Sequence, residues 1–451
     1  MNPRIVCRAI ALAAVFLNAG SAYAETAATP PAASVDPQVA ADKIAREIEQ
    51  IRGLTFKQPV RVETQSAAGF SEYVSRELNE VVPESVRKHY GLIVRTLGLY
   101  RGPPIEDFSA MMSTVMGSQI GAYYDPVKKS FFVVMTGMPE MMQGVMYSHE
   151  LYHALQDQYF DLARYMEMGR KGGAGTYNSD TQLARSAVVE GEATYMMSLW
   201  MMQKMSGKAP TRDLMARVVS MQANMSMDQL REMLKQAKVA EVVGSDLKAA
   251  VDSAVEIPSF IMDSMLAVYL KGLGFVFAVH EQGWPAVEKL YAEYPAQSTE
   301  QILHPEKWLA HEAPATYAWP RFEKIAALRD WELLDDDVLG EFQWRIVFKE
   351  QGLAKEAESA AAGWGGDRYA VFKRKDSNAT LLLLRTSWDS EKEASEFADA
   401  YRRAQAYKYA DAPVPVRVVQ KGADVFIVEG GDESNIDSLL KVVKKVKPAR
   451  G

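Results

Sequence analysis

His149-Glu150-Leu151-Tyr152-His153 constrains this chain more than any other stretch. Two histidines four residues apart leave one face of a helix a single turn apart, a spacing at which both imidazoles can reach one zinc ion. The glutamate that follows the first histidine can then act as a base beside that ion. The neighbouring residues favour a helix here: Pro139 suits a helix start, and Met142, Val145, Met146, Leu151, Tyr152 and Leu155 continue an apolar face around the histidines. Gly144 is the one weak position in that run. The bland alternative is a pair of core histidines that merely pack.

Zinc in hydrolases takes three protein ligands and keeps a fourth position for water, so a third donor is needed. Leu183 to Tyr195 forms a second helical run of small and apolar residues suited to close packing, and it carries Glu190 and Glu192. Here the sequence resembles the gluzincin division of the zincin-like metallopeptidases. Glu190-Gly191-Glu192-Ala193 matches the Glu-Gly-x-Ala segment of those families, and His153-Ala154-Leu155-Gln156-Asp157 looks like the thermolysin-type continuation of the first helix. The resemblance covers these two short segments, and residues 45 to 320 only in general plan. It implies a zinc peptidase acting on peptide or protein substrates, with His149, His153 and Glu190 as metal ligands and Glu150 as the general base. Glu192 is the rival ligand, since residues two apart on a helix point about 200° apart and only one of the two acids can face the metal. Asp157 extends the row of His149 and His153, but a small ion is not spanned by two successive turns, so it is expected to support the site or pack the helix.

Thirty-six residues separate His153 from Glu190. Among them Gly169 to Gly175 is too rich in glycine for regular structure and reads as a loop that shapes or covers a cleft. Gln119 to Met135 holds two β-rich runs joined by a polar turn and reads as a hairpin. In gluzincins a strand just before the zinc helix forms an exposed sheet edge that an extended peptide can join; an ordinary hairpin covering the helices suits the residues equally. Gluzincins also supply a downstream Tyr or His to the oxyanion, and Tyr195 and His304 are the candidates. His304 is expected in a loop, Ser298 to Glu306.

Arg4 and Arg8 before the apolar run Ala9 to Leu17, with Ala22-Tyr23-Ala24 after it, read as a Sec-type signal over residues 1–24, which implies a bacterial periplasmic or secreted protein. Without them the chain has 49 basic against 58 acidic residues, a net charge of about −9, and nothing suggests nucleic-acid binding. The lone cysteine, Cys7, leaves with the signal. No later run predicts stable membrane insertion, and the oligomeric state is not legible.

Residues 25–40 read as a disordered leader. Residues 41–340 are expected to form a mainly helical, zincin-like catalytic domain with a small substrate-side sheet; helices are clearest at Asp42 to Ile51 and Ser71 to Tyr100. The frequent methionines after Glu192 read as helix packing. Residues 341–451 alternate as β-β-α-β-β-α, a small α+β domain with an antiparallel sheet and helices on one face, so the fold class of the chain is α+β. Two other functions compete: a zincin scaffold kept as a non-catalytic envelope assembly protein, and a metal-dependent amidase acting on a cell-wall linkage.

Overall fold

The structure is a computed structural model, and it describes residues 36–117, 121–134, 140–167, 178–225, 229, 257–410 and 412–448. The expected signal segment, the expected leader up to residue 35 and the glycine-rich run Gly169–Gly175 lie outside the described residues. The chain is α+β. It divides into two compact units: one takes the described residues of Met1–Val81, Ser109–Lys171 and Gln182–Ala296, the other those of Val82–Phe108, Gly172–Thr181 and Gln297–Gly451. A single division between residues 340 and 341 is therefore not the one the structure makes.

Helix α1 (Pro37–Arg52) begins inside the expected leader. Asp36 accepts the Gln38 N–H at 2.8 Å, Pro37 needs no partner in the first turn, and Gly53 closes the helix at φ 75°. The segment Ser71 to Tyr100 is two helices, α2 (Ala67–Val81) and α3 (Glu84–Thr96), and they fall in different units. Pro83 forces the break, because it lacks a donor and pushes the residue before it out of the helical region.

In the first unit the core is helical. Helix α4 (Glu140–Phe160) is buried continuously from Gly144 to Asp157, so the whole circumference of the helix is packed and its polar groups must find partners inside the protein. Helix α5 (Ser179–Ser206) crosses α6 (Ser259–His280) backbone against backbone: a Cβ on Gly191 would fall on the backbone of Gly272, and one on Gly272 would fall on the carbonyl of Ala187. Gly144 likewise leaves room for the ring of Trp200. Among the described residues α6 is the one helix long and apolar enough to cross a membrane by length and composition, and 83% of that window is buried within the protein. Helix α7 (Trp284–Ala292) follows it.

The hairpin forms, as β2 (Ala122–Asp125) and β3 (Ser130–Val133) in antiparallel register from Ala122 opposite Val133 to Asp125 opposite Ser130. A strand absent from the sequence reading, β1 (Arg61–Thr64), pairs parallel with β3, giving the order β1-β3-β2. The strand closest in sequence to α4 is thus the central one. The edge beside the site is β2, and all four of its residues are buried, which corrects the expectation of an exposed edge just before the helix.

The second unit holds a short pair, β4 (Tyr317–Ala318) with β10 (Lys447–Pro448), and a five-stranded antiparallel sheet. The larger sheet runs β5-β6-β7-β9-β8, from β5 (Trp331–Asp337), β6 (Trp364–Arg374), β7 (Thr380–Trp388), β8 (Val416–Lys421) and β9 (Asp424–Gly430). Helices α8 (Gly340–Phe348), α9 (Glu391–Lys408) and α10 (Ile436–Val443) complete it. Leu381, Leu383, Phe426 and Val428 pack with Ile436, Leu439 and Val443 of α10. The alternate residues face the other way: Glu429 accepts from Tyr401 of α9 at 2.6 Å, and the Trp388 ring lies 4.5 Å from Phe397. The two helices cover opposite faces, not one. The chain turns at Ala362 and Gly363, the latter with φ 74°; β6 starts at Trp364 and carries a bulge before Gly366.

Candidate metal centre

Helix α4 presents His149 and His153 one turn apart, and α5 brings Glu190 against both. His149 Nε2 lies 3.0 Å from Glu190 Oε2, His153 Nε2 lies 3.3 Å from the same oxygen, and the two Nε2 atoms are 3.1 Å apart. A tetrahedral zinc with bonds near 2.0 Å holds its ligand atoms about 3.3 Å apart, so these three atoms stand at the separations of one face of such a shell. All three side chains are buried. Among the described residues Glu190 Oε1 and His149 Nδ1 have no hydrogen-bond partner, a state that buried polar atoms rarely keep. Two imidazoles and one carboxylate also match the donor chemistry of a hydrolytic zinc site, so the residues fit the ion.

Burial works against both charges of the Glu190–His153 pair, and their attraction overrides it. The two imidazoles hold the Glu190 carboxyl down at about 2, and that carboxylate raises His153 to about 9. A cation entering this cluster at neutral pH therefore displaces a proton from His153.

Glu150 offers an oxygen within 4.8 Å of the imidazole nitrogens, and its Oε2 accepts the Tyr124 N–H from the free side of β2 at 2.9 Å. Burial lifts its carboxyl above the ordinary range, opposed by both imidazoles and that N–H. A carboxyl raised in this way is better matched to taking up a proton near neutral pH.

Asp157 is committed elsewhere. It accepts from Tyr124 Oη at 2.8 Å, from Lys129 Nζ at 2.8 Å and from the Leu162 N–H at 3.0 Å, tying the hairpin to α4. Glu192, the rival ligand, faces away from the histidine pair. It accepts from Tyr152 Oη at 2.5 Å, Tyr291 Oη at 2.6 Å and Gln156 Nε2 at 2.9 Å, with Arg52 Nε 3.6 Å away. Gln156, Arg52, Tyr291 and Tyr269, whose ring centre is 5.8 Å from that of His149, were not singled out from sequence. Gln156, three residues after His153, had the one legible signal.

Of the two oxyanion candidates, Tyr195 lies in the same unit as the cluster and does not join it. The Tyr195 hydroxyl meets His280 Nδ1 at 3.2 Å, and its ring packs on Phe277 and Trp284; five residues past Glu190, it leaves α5 on another side. His304 belongs to the other unit, where its Nε2 is 3.1 Å from both oxygens of buried Glu341. The segment expected as a loop there is two short helices, Thr299–Leu303 and Pro305–Leu309, that meet at His304. A second acidic group in that unit, Glu300, Glu312 and Asp389, already surrounds a cation: Lys307 Nζ donates to them at 2.6, 2.8 and 2.6 Å.

A family model described as a domain of unknown function, DUF8575, matches residues 331–440, from the first residue of β5 into α10 and outside every proposed ligand. No curated protein and no solved structure matches the chain.

Proposed function

We propose that this chain is an exported zinc-dependent peptidase of gluzincin type, hydrolysing peptide bonds in peptide or protein substrates. The observation that carries the reading is the buried triangle of His149 Nε2, His153 Nε2 and Glu190 Oε2, with sides of 3.0 to 3.3 Å. His149, His153 and Glu190 hold the ion. When bound, zinc acidifies a water and polarises a carbonyl oxygen. Glu150 takes the proton of the attacking water and passes it to the leaving amine, which turns a poor leaving group into a neutral one. The Tyr124 N–H fixes the carboxylate of that base on the side of β2.

Glu150→Gln tests this role, because the amide keeps the size of the side chain and cannot accept the proton. The variant is expected to retain zinc and to lose hydrolysis of an unstructured protein such as casein by about 100-fold or more. Activity near that of the wild type would remove Glu150 from the mechanism.

A further inference from the structure

Beyond the ligands, the first unit contains an unusually complete set of buried donors and acceptors centred on Glu192. Gln156 Nε2 lies 3.1 Å from the Val189 carbonyl, 2.9 Å from Glu192 Oε2 and 2.8 Å from Tyr291 Oη. The first two can only accept, and Tyr291 spends its own proton on Glu192, so the amide nitrogen must face this group. The amide oxygen is thereby turned to His153 Nδ1, 2.8 Å away. An oxygen there requires a proton on Nδ1, which leaves the lone pair of the neutral ring on Nε2, the nitrogen that faces Glu190. The carboxylate that sets this direction is fully buried and is held by Tyr152, which in turn accepts from Arg52 Nε at 2.9 Å.

We propose that Glu192 and Gln156 are positioning residues that fix the tautomer of His153 through this chain of hydrogen bonds, with Arg52 and Tyr152 holding Glu192 in place. The proposal rests on the zinc reading of the His149–His153–Glu190 cluster. It assigns Glu192 an indirect role: the second acid of the Glu-Gly-x-Ala segment acts on the metal through the opposite helix. Among the described residues His149 Nδ1 has no partner, so the arrangement concerns His153.

The test is zinc affinity of the full chain by chelator competition, with thermal melting recorded alongside. Glu192→Gln preserves volume but lets the Gln156 amide turn over, and Gln156→Leu removes the acceptor; each is expected to weaken zinc binding about 10- to 100-fold. The deciding variant is the exchange Gln156→Glu with Glu192→Gln. It places a carboxylate, which can only accept, against His153 Nδ1, so that bond keeps its direction; the bond between positions 156 and 192 reverses, with the amide now donating, and the Val189 carbonyl loses its donor. Affinity is expected to return to within a few-fold of the wild type. Single variants that bind zinc as the wild type does would overturn the proposal. An exchange variant that stays as weak as the single ones, while melting like the wild type, would do the same. If the wild type binds no zinc, or His153→Ala binds it unchanged, the zinc reading itself fails.

Discussion

His153 and His304 both have a raised pKa, each with a carboxylate at hydrogen-bond distance, yet they do different work. His153 shares its carboxylate with a second imidazole in a buried cluster. His304 is paired with Glu341, with Arg345 and Glu306 also close, and its proton contributes to the stability of its own unit. The hydrogen bond to Glu341 holds the folded pKa above the ordinary 6.5, against burial and Arg345. The stabilisation is therefore complete below pH 6.5 and is lost as pH rises through the folded value. His304→Gln should melt below the wild type at pH 5.5, and the gap should narrow as pH rises above 6.5. A gap that does not change with pH would show that the contact is not an ion pair. At this scale the motif residues were legible because spacing on one helix is local. Arg52 and Tyr291 were not, since each reaches the site from far away in the chain, and Gln156 showed only as a polar residue inside an apolar helix.

Between elements, Gly191 carries more than its place in a motif. It is the point where α5 lies directly on α6, and a side chain there meets the backbone of Gly272, which cannot move aside as a flexible side chain could. Separating the two helices also shifts Glu190, one residue away. Gly191→Ala should cost about 1–3 kcal/mol of stability, and should weaken zinc binding, as read by chemical denaturation and chelator competition. A variant as stable as the wild type would mean that the helices do not cross this closely. The sequence showed the small residues of α5 but not what they pack against, because the partner glycine is on a distant helix. The β2–β3 hairpin was legible for the opposite reason, its two strands being separated by one turn. The four residues of β1 are too few to show a period, and parallel pairing with β3 leaves no local trace.

Across the whole chain, the boundary expected at residues 340 and 341 cuts through one sheet. Strand β5 lies before it and pairs with β6 after it, from Trp331 opposite Arg374 to Asp337 opposite Tyr369. Helix α3, far upstream, packs on β5 and β7, and Lys408 bonds the carbonyl of Thr96 at its end. A chain ending at residue 340 would keep β5 and α3 but lose β6 to β9, exposing apolar residues and an unpaired strand edge. It should aggregate during size-exclusion chromatography, whereas a monomer with a cooperative melt would show that these contacts are dispensable. The C-terminal strands and helices were legible one by one from their apolar periodicity; the discontinuous unit was not, because membership depends on contacts far apart in sequence. The central claim concerns one metal site in this large chain. Its most direct measurement is zinc bound per purified chain after dialysis, for the wild type and for Glu190→Ala. One zinc per wild-type chain is expected, with affinity lowered by roughly three orders of magnitude in the variant. No zinc, two tightly held ions, or unchanged retention by Glu190→Ala would contradict it.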